Sequence, residues 1–466
     1  MKKYMSVILA MLMLLGLCAC GGEEKAAPQP QTLQVGFGRV DITPQLSVPL
    51  AGYGNTAKRL SLAAQDPLYA TCVALTDKSG ETLLLISQDL INSTWHSEAR
   101  AVISEATGVP VEHIMVAGTH THSAPDQTST LECIQTYKKD YLDNMAAVAS
   151  AAMNDRCEGA VYAGKTKLER MNGVRHYLMA DGTYAGDNFG SFENNTVVEP
   201  AEAKDDILQV IRFSRKDKQD VVMVNWQAHP AKNGSASSHI ISADFVGAAR
   251  TAFEKSSGDL FVYFTGAAGN QNPSSRLESE CTYLLTSQYG QALAEAVTGL
   301  LKNMDTPAVT SVKTKQITYT GQTNRDMAEM LEQAKEVNAV YEAHGKAAAE
   351  PLVQQYGFVS IYHARAIITR SEYDDTIDME LSAASIGDIS FIAAPYEMFS
   401  IHGTYIKEKT PSAMTFVISC CNGSYGYLPS NKAFDYNSYE AYTGRFVRGT
   451  GEELAKMYVE MLESIQ

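Results

Sequence analysis

The chain carries a series of segments, YATCVALTD, ETLLLISQDLI, HIMVAGTHTH, VVMVNWQAH, LFVYFTGAAGNQNP, ISFIAAP and MTFVISC, whose apolar runs are too short to be buried helices. Runs of this length, rich in β-branched and aromatic residues, read as strands buried on both faces. Such strands need cover on two sides. Helical segments between them can supply it, so the sequence predicts an α/β fold with mixed β-sheets flanked by helices. Lys78-Ser79-Gly80 falls between two of the runs and marks a hairpin turn. HSEARAVISEATG (96–108) reads as a helix ended by Gly108, and residues 138–155 as a second. Ser242 is placed to cap a helix whose first turn holds Asp244. Residues 325–349 predict one long helix, with Met327, Met330, Leu331, Ala334 and Val337 at helical spacing and destined for the core.

The N-terminal residues predict a location. Lys2 and Lys3 precede an apolar stretch, VILAMLMLLGL (7–17), too short for an ordinary spanning helix. The sequence Leu17-Cys18-Ala19-Cys20 resembles a bacterial lipobox with cleavage before Cys20. We therefore expect residues 1–19 to be a lipoprotein signal peptide, Cys20 to carry lipid, and residues 20–32 to form a flexible tether, GGEEKAAPQPQT following the cysteine. This reading makes the protein extracytoplasmic and lipid-anchored to a bacterial membrane, with one large domain over 33–466. A formal net charge of −15 without basic clusters excludes nucleic acid as a partner. Cys72, Cys133, Cys157, Cys281, Cys420 and Cys421 show no CxxC spacing, which argues against a structural zinc knuckle. An oxidising compartment permits a disulfide, but the sequence does not choose its partners.

Chemistry-bearing residues collect where the strand-like runs end. Asp89, His120 and His122, His229, Glu397, and then Asn422, Tyr425 and Tyr427 each follow an apolar run. Function in α/β folds gathers on loops at strand ends. His120 and His122 would share one face of a strand, which suits a metal site, or a metal ligand beside a proton donor, or a solvated strand end. The helical HExxH spacing is absent, so any metal site must be assembled from distant segments.

GFGRVDITP with PLAGYG, then AGTHTHSAP, NWQAHP, FTGAAGNQNP, PYEMF, NGSYGYLP and YEAY occur in the order found in neutral ceramidases, and the chain resembles the catalytic domain of that family. The sequence ends soon after the final motif, so we expect the family's further C-terminal sandwich domain to be missing. The resemblance implies a zinc-dependent amidohydrolase cleaving the N-acyl bond of ceramide or a related N-acyl lipid. It also implies Zn²⁺ ligands at His120, His229, Glu397 and Tyr427, with Tyr425 the rival for the last. His122 matches the active-site histidine of the THTH motif, and Arg175 in MNGVRHY matches a substrate-binding arginine. Asn272 stands where the family has a serine. An amide is no serine-type nucleophile, although it can donate a hydrogen bond to an oxyanion. The departure keeps two alternatives open: a zinc hydrolase acting on a different small amide or ester, and a non-catalytic metal-binding surface lipoprotein.

Overall fold

Eight strands build the larger of two stacked sheets: β1 (Thr32–Asp41), β2 (Tyr69–Thr76), β3 (Thr82–Gln88), β4 (Ile114–Gly118), β5 (Cys157–Lys167), β6 (Ile207–Arg215), β7 (Val221–Trp226) and β8 (Leu260–Thr265). The structure is a computed structural model describing residues 31–466 except 55, 236–237 and 278–279. The expected signal peptide and Cys20 lie outside the described residues. Across the sheet the order is β8-β7-β6-β5-β1-β2-β3-β4. Its centre is antiparallel, whereas β3 with β4 and β7 with β8 run parallel. The second sheet, β9 (Val312–Gln322), β10 (Thr376–Ile386), β11 (Ile389–Ala394) and β12 (Met414–Ser419), is ordered as numbered and ends in the parallel pair β11 and β12.

Parallel neighbours need a crossover, and a helix is the usual one. Here α1 (His96–Thr107) links β3 to β4, and α2 (Glu132–Asn154) packs beside it. Helix α3 (Asp244–Ser257) links β7 to β8, followed by α4 (Thr286–Leu300). Three helices, α5 (Leu331–His344), α6 (Lys346–Gln355) and α7 (Ile361–Ser371), lie between β9 and β10. Helix α8 (Ser400–Lys409) links β11 to β12, and α9 (Tyr439–Thr443) and α10 (Thr450–Glu463) follow.

The strands read as unbroken apolar runs because both faces are buried. One face of β2 and β3, with Val73, Leu75, Leu83 and Leu85, meets Phe391, Phe416 and Ile418 of the smaller sheet. The alternate residues Cys72, Ala74, Leu84 and Ile86 pack outward against Ile103 of α1 and Tyr141 and Met145 of α2. Helices α3 and α4 cover β7 and β8 in the same way, and α8 and α10 cover the smaller sheet. The result is four layers, helix, sheet, sheet, helix. Among the described residues, no helix is long and apolar enough to cross a membrane, and all six described cysteines are free.

Several local expectations hold. Thr76 pairs with Thr82 across the hairpin, and Gly108 ends α1 in the left-handed region at φ 72°. Others need correction. Helix α2 begins at Glu132, not 138, because Ile134 and Tyr137 already face the core. The long helix expected over 325–349 is two helices, broken at Gly345 with φ 84° and preceded by Met327 at φ 56°. Its apolar stripe is core as expected: Ala334 and Val337 are buried, with Met327, Met330 and Leu331 packed around them.

Candidate metal centre and active site

The three parallel pairs of the two large sheets point their C-terminal ends to one place. His120 and His122 follow β4, His229 follows β7, Asn270 to Asn272 follow β8, Glu397 follows β11 and Cys420 to Asn422 follow β12. The two sheets are joined there. Gly118 donates its N–H to Cys420 O at 3.1 Å, Asn422 N–H bonds Val116 O at 2.9 Å, and the Asn422 side-chain oxygen accepts Val116 N–H at 2.9 Å.

The histidine pair does not use a strand face. Strand β4 ends at Gly118, and both histidines sit in the turn beyond it. His120 adopts φ 70°. A left-handed histidine stores strain that only its surroundings can hold in place, a feature that clusters at functional sites. Gly52 allows the turn to close: a Cβ there would lie 2.5 Å from the Cβ of His122. His229 lies three residues beyond β7, and the loop following it is held by Asp244, whose carboxylate accepts the Asn233 N–H at 2.6 Å. The expected cap is displaced: the N-cap position of α3 is Ala243, and Ser242, one residue earlier, accepts the Asp244 N–H on its hydroxyl at 3.0 Å.

The three rings form a cluster. Centroids are 4.8 Å apart for His120 and His229, 5.1 Å for His120 and His122, and 5.6 Å for His122 and His229. His120 Nδ1 bonds Ile91 O at 2.7 Å and His229 Nδ1 bonds Gln271 O at 3.1 Å. Carbonyl partners fix Nδ1 as the protonated nitrogen in a neutral ring, which leaves each Nε2 as a lone-pair donor. Both Nε2 atoms approach the same oxygen, Glu397 Oε2, at 3.2 and 3.1 Å. Gly269 packs directly on the backbone of Glu397, where a Cβ would come within 2.4 Å of its carbonyl oxygen.

Charge within this buried cluster is strongly coupled. Burial favours the neutral Glu397, yet His120 first and then His229 hold its carboxyl well below the usual range. Burial opposes a charged His120, but Cys420 and Glu397 raise it well above its ordinary value. Burial lowers His229, with Glu397 opposing. His122 is driven well down by burial and then by the charges of His120 and His229.

A cation fits these residues. Both ring nitrogens of His122 are buried without hydrogen-bond partners, and Nε2 of His120 has none beyond its approach to Glu397; such groups are rare unless an ion or water satisfies them. Two donor triads share His120 and His229. His122 completes one, with a nitrogen from each ring within 4.8 Å of the others, and Glu397 completes the other. Both sets of N and O donors suit a borderline divalent ion such as zinc.

Of the remaining expected residues, Tyr427 and Arg175 stand beside this cluster, whereas Tyr425 and Asp89 do not. Tyr427 is set beside Glu397 by a two-residue parallel pairing, Glu397 with Tyr427 and Met398 with Leu428. Tyr425 instead turns away, its hydroxyl donating to Asp378 O at 3.1 Å. Arg175 and Asn272 arrive together because Gly173 pairs with Asn272 and Arg175 N–H bonds Asn270 O at 3.0 Å. The Arg175 guanidinium stands 5.4 Å from the Tyr427 ring centre. Both Arg175 and Asn272 line a 490 Å³ cavity with Asp187, Ser274, Ser275 and Arg276, and the Asn272 amide lies 3.4 Å from Asp187 Oδ2. Asp89 plays a structural part outside the cluster, pairing with Arg250 at 2.8 Å.

Sequence reasoning missed the support behind Arg175. Glu440 is wholly buried and lies against both Arg175 and His176. Only the unassigned YEAY motif had drawn attention to it.

Over residues 33–266 the sequence matches the profile of the neutral/alkaline non-lysosomal ceramidase family, N-terminal part. The chain belongs to that ceramidase family. No curated protein matches it. Among solved structures, this ceramidase-family chain is similar to the neutral ceramidase of Pseudomonas aeruginosa, with TM-score 0.68 and 17% identity over 93% of this chain and 74% of that one. It is also similar to a ceramidase complexed with C2, with TM-score 0.65 and 15% identity over 93% of this chain and 75% of the other. At these identities the likeness is one of fold.

Proposed function

We propose that the protein is a zinc-dependent amidohydrolase that cleaves the N-acyl bond of ceramide or a related N-acyl lipid. The observation that carries this reading is the approach of two Nε2 atoms to one carboxylate oxygen, with a third imidazole alongside, in a chain of the ceramidase family. We assign His120, His229, Glu397 and Tyr427 as ligands and Zn²⁺ as the ion. When bound, such an ion supplies Lewis-acid polarisation of a carbonyl and acidifies water.

The chain's own residues do the rest. Glu397 and the two carbonyl-anchored histidines hold the donor geometry. His122, its ring nitrogens without protein partners, is available to exchange a proton with the departing amine. Asn272 and Arg175, on the wall of the adjoining cavity, offer N–H donors to the oxygen on which negative charge develops. The lipid anchor expected at Cys20 would keep the enzyme beside lipid on the extracytoplasmic side.

The polar wall of that cavity favours a second reading for the substrate. Arg175, Asp187, Asn272, Ser274, Ser275 and Arg276 suit an N-acyl compound with a compact polar head at least as well as a long-chain base.

The test is metal content and ceramide hydrolysis measured together on wild type and His120→Ala. One zinc per chain with fatty-acid release, both lost in the variant, is the expected result. Full activity in a zinc-free preparation refutes the proposal. Bound zinc without ceramide turnover moves the assignment to other N-acyl compounds.

A further inference from the structure

Arg175 does not hold its own position. Burial would favour an uncharged guanidinium, yet Arg175 stays firmly charged because Glu440, first among its neighbours, opposes that tendency. Glu440 Oε1 accepts the Arg175 Nε–H at 2.9 Å and Nη2–H at 2.5 Å. Its other oxygen, Oε2, lies 2.8 Å from His176 Nε2. His176 is also fully buried, and its Nδ1 bonds the Tyr436 hydroxyl at 3.0 Å. The guanidinium is fixed at a second point by Gly269 O, 2.9 Å from Nη2. Gly269 is the residue that packs on the backbone of Glu397. One carboxylate with no solvent exposure thus sits between two basic side chains, and Nε and Nη2 of the guanidinium are engaged within the protein.

A buried ion pair of this kind is weak evidence for stability, since the cost of desolvation offsets much of the attraction. What it supplies is geometry. A guanidinium held at Nε and Nη2 has one orientation, and charge-assisted bonds are the stiffest available to impose it. We propose that Glu440 is a positioning residue for the reaction: through Arg175 it sets the direction of the donor that meets the substrate oxygen. Glu440 does not line the cavity; its ion-pair partners are Arg175 and His176, and of the two only Arg175 lines it. The inference rests on the hydrolase reading above for its kinetic consequences, but not for its structural one.

The experiment is a double-mutant cycle on the full-length protein with a short-acyl fluorogenic ceramide as substrate. Glu440→Gln keeps the shape and removes the charge. It is expected to retain wild-type metal content and KM within about twofold while kcat falls roughly 10- to 100-fold, the scale of a misplaced reacting group. Arg175→Ala together with Glu440→Gln is expected to be no slower than Arg175→Ala alone, because a residue that acts only through Arg175 has nothing left to position. Glu440→Asp is expected to recover part of kcat. Wild-type kcat in Glu440→Gln, or a double variant slower than Arg175→Ala by the full Glu440→Gln factor, overturns the proposal. If Glu440→Gln does not fold, the same cycle is run with Glu440→Asp and read by the same two criteria. If the wild-type enzyme binds metal but cleaves no N-acyl substrate, the hydrolase reading fails by itself. The positioning role is then decided by a crystal structure of the Glu440 variant. Arg175 displaced from Gly269 O supports it, and an unmoved guanidinium refutes it.

Discussion

Gly269→Ala tests the geometry of the site without touching a ligand. The backbone at Gly269 is in a region open to alanine, so the substitution acts through space alone. An added Cβ would lie 2.4 Å from Glu397 O, 2.9 Å from Glu397 C and 2.9 Å from Met398 O. Ordinary contact begins at 3.4 Å, so the difference, 3.4 minus 2.4, requires a separation of about 1 Å. All three atoms belong to one segment, which must therefore move as a unit and carry the Glu397 carboxylate with it. That carboxylate stands 3.1 and 3.2 Å from the two Nε2 atoms. A displacement near 1 Å at a reacting centre costs ~100-fold in rate, and overpacking of this kind costs ~1–3 kcal/mol in stability. The assay combines metal affinity by competitive chelation, kcat on a short-acyl ceramide and the thermal midpoint. Gly299→Ala in α4, where the Cβ meets nothing within 4 Å, is the control and should stabilise by ~0.5–1 kcal/mol. Gly269→Ala with wild-type metal affinity and kcat refutes the argument that the Gly269 contact sets the position of Glu397.

Three further outcomes follow from the same geometry. His122→Ala should keep its metal and lose at least 100-fold in kcat; loss of the metal would instead assign His122 to the donor set, the three-histidine alternative. Asp89→Ala leaves Arg250 charged and buried, and should cost ~3–5 kcal/mol in urea unfolding; a loss under 1 kcal/mol would mean that water reaches the pair. His363 is lowered from 6.5 to about 4, by burial first and then by the charge of Arg370. Its folded value lies below its unfolded one, so the stability at stake is full above pH 6.5 and drains as pH falls toward 4, by up to ~3 kcal/mol. His363→Gln should flatten that part of the stability profile, and an unchanged profile from pH 7 to 4.5 would refute it.

The legible and illegible parts of the chain divide on physical grounds. Strands announced themselves because both faces of β2, β3, β7, β8, β11 and β12 are buried, leaving apolar runs with polar residues beyond their ends. The turn at Lys78-Ser79-Gly80 and the cap at Gly108 are local chemistry, visible within a few residues. The break at Gly345 was missed because a helical stripe of apolar residues continues past it. The histidine pair was given the right company by the wrong geometry: alternation on a strand was expected, and a left-handed turn at His120 does the work. Tyr427 was preferred over Tyr425 only through the family resemblance; the pairing of Tyr427 with Glu397 and the turn of Tyr425 toward Asp378 are tertiary and have no local signal. Glu440 was illegible for a plainer reason. Its partner Arg175 is 265 positions away, and no local pattern marks a carboxylate whose purpose is to hold another side chain.

The seam between the two sheets has a consequence for how activity can arise. His120 and His229 leave the larger sheet, whereas Glu397 and Tyr427 come from the smaller one and the loop after it. Neither half of the chain holds a complete set of the proposed donors. During synthesis the first half emerges with all three clustered histidines but without Glu397 and Tyr427, so the full proposed donor set waits for the second half to dock. Hydrolysis is in this sense a reporter of assembly. Two fragments divided between β8 and β9 should each be silent and should recover turnover only on mixing, which makes the enzyme its own complementation assay.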